Sequence, residues 1–213
     1  GIQDMLYWLT ELSDGGDVFN LFRYITFRAG GAFLTALVFG FIFGKPLINV
    51  LRKRQGKGQP IRNDGPEGHF VKAGTPTMGG LLIIGALVTA TLLWARLDNP
   101  FVWMVLFVTI SYAAIGFADD YAKVKKQNTA GVSGKMRLLL GFVIAGLAGF
   151  WAAQFHPVEL TNQLAFPIFK DTLLNLGYLF VPFAIIVIVG AANAVNLTDG
   201  LDGLAIMPVM IAT

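Results

Sequence analysis

Residues 176–203 read LGYLFVPFAIIVIVGAANAVNLTDGLDG. The part up to Ala192 is almost entirely apolar and close to the length of roughly 20 residues that crosses a bilayer as a helix. The part from Asn193 to Gly203 then gathers two asparagines, two aspartates and two glycines. Polar groups so close to a bilayer cost free energy and need a functional reason. The stretch therefore predicts a membrane-spanning helix that leads directly into a site.

Four further apolar segments extend this interpretation to the whole chain. They lie at about Phe22–Leu51, Met78–Trp94, Pro100–Ala118 and Leu138–Ala153, and a sixth span begins near Leu204. The composition agrees, since 55% of the 213 residues are hydrophobic and only 14% are charged, against about 25% charged in soluble domains. We expect an all-α polytopic transmembrane helix bundle of about five spans plus the start of a sixth, forming a single transmembrane domain over residues 1–213.

Basic residues predict how the bundle is oriented. Between the first and second spans they are Lys45, Arg52, Lys53, Arg54, Lys57, Arg62 and Lys72, and between the third and fourth they are Lys123, Lys125, Lys126, Lys135 and Arg137. The other side carries only Arg23, Arg28, Arg96 and Lys170. Because Lys and Arg favour cytoplasmic loops, we expect the N-terminus outside and cytoplasmic loops at about 52–77, 119–137 and 193–203.

Asp119 and Asp120 follow the third apolar run directly. Two carboxylates at a helix C-terminus oppose the helix dipole, which prefers cations there. A bound Mg²⁺ would offset this repulsion, since hard cations prefer carboxylate oxygens. We therefore consider both residues candidates for metal binding and catalysis. The alternative is that the acids are solvated or paired with Lys123. The absence of cysteine excludes a thiolate nucleophile or a Cys-ligated metal within this chain.

The fifth span leads into Asn193, Asn196, Asp199 and Asp202, each three residues from the next. Residues three apart share a face of a helical turn, and Gly200 would let a ligand approach the backbone closely. The alternative is a capped turn between two spans. A cap needs one such side chain rather than four, so the pattern favours a binding surface.

The first cytoplasmic loop ends in Lys72, Thr75, Thr77 and Gly79-Gly80, just before the second span. A lysine beside the amides of a helix start suits a phosphate, although basic loop residues also mark topology and attract anionic lipid. Lys135 begins the fourth span, where it serves either as a snorkelling anchor or as a contact to a diphosphate.

Three motifs occur in order on this predicted face, and together they are highly specific. They are Lys72-Ala-Gly-Thr-Pro-Thr-Met-Gly-Gly80, Gly116-Phe-Ala-Asp-Asp-Tyr121 and Asn193-Ala-Val-Asn-Leu-Thr-Asp-Gly-Leu-Asp-Gly203. The set closely resembles the bacterial phospho-N-acetylmuramoyl-pentapeptide transferases, a branch of the polyprenyl-phosphate sugar-1-phosphate transferases. A sister enzyme acting on another UDP-amino sugar is the nearest alternative. A membrane transporter is the alternative from another class, although transporters place such acids near the bilayer midplane.

The resemblance implies a Mg²⁺-dependent transfer of phospho-MurNAc-pentapeptide from its UDP carrier to undecaprenyl phosphate, with release of UMP, in the bacterial inner membrane. It implies that Asp119 engages or deprotonates the lipid phosphate and that Asp120 is its partner at the metal or phosphate. The nucleotide end would be held by Asn193, Asn196, Asp199, Gly200 and Asp202, and the phosphates or sugar by Lys72, Thr77 and Lys135. The resemblance leaves open direct attack or a covalent intermediate. It is compatible with a homodimer and implies no nucleic-acid partner.

These transferases have about ten spans, with a further essential aspartate and a histidine-rich loop later in the chain. We therefore expect residues 1–213 to correspond to the first half of such an enzyme and to be inactive alone.

Overall fold

The computed structural model of the chain describes residues 5–56, 77–127, 131–155, 162–165 and 173–198. Five α-helices account for most of these residues, and they are α1 Ile25–Gln55, α2 Gly80–Trp94, α3 Pro100–Lys126, α4 Gly134–Phe155 and α5 Phe180–Thr198. Short 3₁₀ segments lie at Tyr7–Leu12, Val18–Arg23 and Gly177–Leu179. Two short strands, β1 Gln163–Ala165 and β2 Leu173–Asn175, form an antiparallel pair with Leu164 opposite Leu174. The sequence analysis did not predict this hairpin.

The fold is an all-α polytopic membrane bundle, as predicted. Within the described residues, four helical segments are long and apolar enough to cross a membrane, namely Ile25–Gln55, Pro100–Lys126, Gly134–Gln154 and Gly177–Asn196. The second predicted span corresponds to α2, which is apolar but has only 15 residues and is shorter than the roughly 20 that a span needs. The predicted start of a sixth span near Leu204 lies outside the described residues.

Two helices continue beyond the apolar runs that predicted them. Helix α3 passes through Asp119 and Asp120 and ends at Lys126, while α5 passes through Asn193 and ends at Thr198. The predicted loops 119–137 and 193–203 therefore begin with helix. The reason is physical: loss of apolarity ends contact with lipid, but it does not break the backbone hydrogen-bond ladder, and Ala and Lys are good helix formers.

Local sequence explains both ends of α3. At its start the Asn99 Oδ1 accepts a hydrogen bond from the backbone N–H of Phe101 at 2.9 Å, and Pro100 occupies the first helical position, where its missing N–H costs nothing. At its end Gln127 adopts a left-handed conformation with φ of 49°. Three lysines in the last turn complement the helix dipole.

The chain divides into two compact units, Gly1–Ser133 and Gly134–Thr213. In the first unit α1 packs against α2, and α2 packs against α3. In the second unit α4 packs against α5.

Trp94, the last residue of α2, fixes one end of the first unit. Its ring stacks on Phe22 at 5.8 Å between centroids and lies edge-on to Phe27 at 6.1 Å. Its indole Nε1 donates a hydrogen bond to the Thr35 hydroxyl at 2.8 Å. The indole covers Gly31 so closely that a Cβ there would collide with it. A glycine in α1 therefore makes room for the largest side chain of α2.

Small residues set the helix packing in the second unit. Ala145 and Ala148 of α4 are almost completely buried. A Cβ on Gly149 would lie 3.2 Å from the Ala184 side chain of α5 and 3.5 Å from that of Val181. Helices that meet through Gly and Ala approach closely, and in a membrane such packing replaces the missing hydrophobic driving force.

We predict that Gly31→Ala lowers the melting temperature of the detergent-solubilised protein. The added methyl group collides with the Trp94 indole, and overpacking of this kind costs about 1–3 kcal/mol. Thermal unfolding followed by tryptophan fluorescence measures the effect. Gly30→Ala is the matched control, because a Cβ at Gly30 meets no atom within 4 Å. Equal melting temperatures for the two variants would contradict the proposed packing.

Candidate active site

Three helices of the first unit meet through one chain of hydrogen bonds. The Gln55 side chain at the end of α1 donates from Nε2 to the Thr77 carbonyl at 3.0 Å and accepts the Thr77 N–H on Oε1 at 2.8 Å. The Thr77 hydroxyl, just before α2, donates to Asp120 Oδ2 of α3 at 2.9 Å. These contacts bring the C-terminus of α1, the N-terminus of α2 and the Asp120 carboxylate of α3 together at one end of the unit.

Asp119, the residue before Asp120 in α3, is buried and enclosed by neighbouring groups. It is only 6% exposed. Its Oδ2 pairs with the Lys123 ammonium at 2.7 Å, one helical turn later, and its Oδ1 accepts the Val132 N–H at 2.7 Å. A Cβ at Gly131 would collide with the carboxylate, so glycine there lets the following chain close over the acid. The ion pair to Lys123, one alternative from the sequence, is present.

The two adjacent carboxylates have different surroundings. Consecutive residues of an α-helix point about 100° apart, so Asp119 and Asp120 face different neighbours. Asp119 uses both oxygens within the fold. Asp120 is half-buried and, among the described residues, only its Oδ2 accepts a hydrogen bond. An oxygen of Asp120 is therefore left for a cation or another ligand.

Basic side chains surround this end of the unit. The last turn of α1 carries Arg52, Lys53 and Arg54, and the last turn of α3 carries Lys123, Lys125 and Lys126. Such a concentration of positive charge attracts anionic ligands and raises their association rate. The described residues contain no group of three or more His, Cys, Asp or Glu side chains that could hold a metal ion. A metal at Asp120 would thus need further ligands from water, substrate or other parts of the protein.

Among the described residues, nothing covers the start of α2. No side chain caps this helix, and a Cβ on Gly79 or Gly80 would meet no atom within 4 Å. Met78, immediately before it, has a φ of +71°, which is uncommon for a residue other than glycine. Helix N-termini attract anions through their amide groups and dipole. The junction therefore presents a free helix start next to the two carboxylates.

The remaining predicted site residues belong to the second unit or fall outside the described residues. Lys72, Asp199, Gly200 and Asp202 fall outside the described residues. Lys135 is exposed in the first turn of α4, and Asn193 and Asn196 are exposed on α5, all in the second unit. The Asn193 amide donates to the carbonyl of Val189 at 2.8 Å, a bond within its own helix.

Sequence reasoning did not identify Gln55 or Gly131. Gln55 follows three basic residues and precedes Gly56, which is also what a solvated helix end looks like. Its burial at 9% exposure depends on Thr77, more than 20 positions away. Gly131 had no local signal either, because its role is to leave space for Asp119.

Comparison with known proteins identifies the family. The glycosyl transferase family 4 model matches residues 102–213, which include the carboxylate pair. This chain belongs to glycosyl transferase family 4. A phospho-N-acetylmuramoyl-pentapeptide-transferase signature also matches residues 72–84. In this glycosyl transferase family 4 chain, Thr77 and the start of α2 therefore belong to a recognised signature.

The chain is similar to proteins named phospho-N-acetylmuramoyl-pentapeptide-transferase. Those of Ruegeria pomeroyi and a Ruegeria species are 81% and 82% identical over 208 residues, and that of Dinoroseobacter shibae is 72% identical over 209 residues. Each alignment covers 98% of this chain. The chain spans 58% of the length of each relative.

We predict that Lys123→Met destabilises the protein. It leaves the buried Asp119 carboxylate without its cation, and an unsatisfied buried polar group costs about 1–3 kcal/mol. Thermal unfolding in detergent measures the loss. Lys126→Met, at an exposed position of the same turn, is the control and should unfold like the parent. Adding Asp119→Asn to Lys123→Met should recover part of the loss. If both lysine variants unfold alike, the ion pair does not stabilise the fold.

Proposed function

We propose that the complete protein transfers phospho-MurNAc-pentapeptide from UDP-MurNAc-pentapeptide to undecaprenyl phosphate. In this reaction an oxygen of the lipid phosphate forms a bond to the β-phosphorus of the nucleotide sugar. The bond from that phosphorus to the bridging oxygen breaks, and UMP leaves with the oxygen. The products are the lipid-linked diphosphate sugar and UMP.

One observation carries the proposal. The Thr77 hydroxyl, within the transferase signature at residues 72–84, donates directly to Asp120 within the family 4 region. This contact between motifs more than 40 positions apart supports a single site at the end of the unit where basic residues gather. A lipid phosphate is confined to the membrane surface, while a nucleotide sugar arrives from water. A site at the helix ends is where these substrates can meet.

In this proposal Asp119 and Asp120 have different roles. Asp120, with one oxygen free among the described residues, suits Mg²⁺, which prefers carboxylate oxygens. The cation would neutralise diphosphate charge when bound. Asp119 is held by Lys123. An incoming phosphate competes for that ammonium, and Asp119 is then released to engage the lipid phosphate. The basic side chains stabilise charge on the departing UMP.

The other predicted residues contribute to substrate binding in this proposal. Asn193 and Asn196 share an exposed face near the end of α5 and, with Asp199, Gly200 and Asp202, bind the uridine and diphosphate end. Lys72 and Lys135 bind phosphate or sugar. The homodimer stays a prediction of the resemblance.

We also propose that the site faces the cytoplasm of the inner membrane and that the N-terminus lies outside. The basic last turns of α1 and α3 support this orientation. Because residues 1–213 contain no cysteine, single cysteines can report it. A membrane-impermeant maleimide should label Asp14→Cys in intact cells, and should label Lys126→Cys and Asp199→Cys only after permeabilisation. Labelling of positions 126 and 199 from opposite sides would exclude a shared site.

The activity is tested with the purified complete protein, undecaprenyl phosphate and Mg²⁺. We expect UMP release and lipid-linked product from UDP-MurNAc-pentapeptide, none from UDP-GlcNAc, and loss of activity with EDTA. Product from UDP-GlcNAc alone would assign the protein to a sister transferase. No transfer from either donor would refute the proposal.

Variants of the complete protein test the residue roles. Asp119→Asn and Asp199→Asn should each lower the rate by about a hundredfold or more, the usual contribution of a catalytic or substrate-holding group. Asp98→Asn is the control. Its carboxylate is exposed and pairs with Arg96, so its rate should stay within about twofold of the parent. A near-normal rate for either site variant removes that residue from the machinery.

A further inference from the structure

Gln55 holds the backbone of Thr77 at two points. Its amide donates to the Thr77 carbonyl and accepts the Thr77 N–H, at 3.0 and 2.8 Å. Ordering a glutamine side chain costs conformational entropy, so the pair of hydrogen bonds has to offset that cost. The side chain is buried, with the residue 9% exposed. Gln55 is therefore a fixed group rather than a solvated helix end.

The end of α1 does not itself require this side chain. The Gly56 N–H donates to the Arg52 carbonyl at 3.2 Å, and Gly56 has a φ of +58°. A glycine in the left-handed region is the usual way to end a helix. The Gln55 amide is thus directed at the segment before α2 and not at the cap of its own helix.

The segment that Gln55 holds is the one that reaches the carboxylates. The Thr77 hydroxyl donates to Asp120 at 2.9 Å. The next residue, Met78, has a φ of +71°, a strained conformation for a residue other than glycine that persists only where the surrounding structure fixes it. Because Gln55 fixes the N–H and C=O of Thr77, it fixes both the hydroxyl and the turn into α2.

We propose that Gln55 is a positioning residue that acts through Thr77 to hold Asp120 and the start of α2 in the geometry needed for transfer. This inference rests on the proposed function. Gln55 touches neither reacting group. Its effect on the reaction passes through the hydrogen bonds from Gln55 to Thr77 and from Thr77 to Asp120.

A double-mutant cycle in the complete enzyme tests this route. Thr77→Val keeps the backbone that Gln55 holds and removes the hydroxyl bonded to Asp120. Gln55→Ala and Thr77→Val should each lower kcat by about tenfold. Because the two residues act in series, the double variant should be within about twofold of the slower single variant. If kcat of the double variant instead falls by the product of the two single-variant factors, the proposal is overturned.

Gln154→Ala is the matched control. Gln154 also lies in the last turn of a long helix, α4, but it is exposed. The same substitution there should leave kcat and the melting temperature unchanged. If Gln154→Ala and Gln55→Ala behave alike, the effect is one of helix ends in general, and the positioning role fails.

Gln55→Glu gives a readout that general destabilisation would not produce. An ionised glutamate accepts the Thr77 N–H but cannot donate to the Thr77 carbonyl, whereas a protonated glutamate does both. The rate of Gln55→Glu relative to the parent should therefore rise as the pH falls through the pKa of the introduced carboxyl group, by about fivefold if one bond is regained. A ratio that stays constant while that carboxyl group titrates would contradict the role.

Amide hydrogen exchange separates failure of this inference from failure of the proposed function. Exchange in the peptide covering Thr77–Leu81 should accelerate in Gln55→Ala and not in Gln154→Ala, whether or not the protein transfers sugar phosphate. An active parent with unchanged exchange in Gln55→Ala refutes the inference alone. An inactive parent refutes the proposed function and, with it, the role of Gln55 in positioning groups for transfer.

Discussion

The hydrogen bond from Thr77 to Asp120, with the Thr77 backbone held by Gln55, is the contact on which the site depends. Apolar helices in a membrane gain little from contacting one another rather than lipid, so polar contacts and close packing set their register. Here the polar contacts lie at one end of the unit. They determine which helix ends meet. As a result, the basic last turns of α1 and α3 lie at the same end of the unit as both carboxylates.

Helix α2 connects this junction to the packed opposite end of the unit. It has 15 residues and is about 22 Å long at 1.5 Å per residue. Thr77 anchors the chain just before its first turn, and Trp94 anchors its last turn against Gly31. A short helix fixed at both ends has little freedom to slide or rotate. The aromatic packing around Trp94 thereby supports the position of Thr77, although the two residues lie at opposite ends of the helix.

The sequence predicted those features that follow from local composition. Apolar length located the helices, and clustered acids marked Asp119 and Asp120. The bounds were less accurate, because α3 and α5 continue as helix after their side chains become polar. Gln55 and Gly131 were not predictable, since one acts through a partner far along the chain and the other by leaving space. The left-handed Met78 was equally hidden, because no glycine marks that position.

Two neighbouring aspartates look equivalent in sequence, but helix geometry makes them different. Successive side chains point roughly 100° apart, so Asp119 is buried against Lys123 and Val132. Asp120 faces Thr77 instead, and one of its oxygens accepts no hydrogen bond among the described residues. The ion pair with Lys123 stabilises the Asp119 carboxylate while it is buried away from water. In the proposed reaction, an anionic substrate that enters the basic surroundings would compete for the same lysine and so uncover Asp119. Asp120 accepts the Thr77 hydroxyl on Oδ2, and its other oxygen accepts no hydrogen bond among the described residues, so the proposed cation would bind there independently of that exchange.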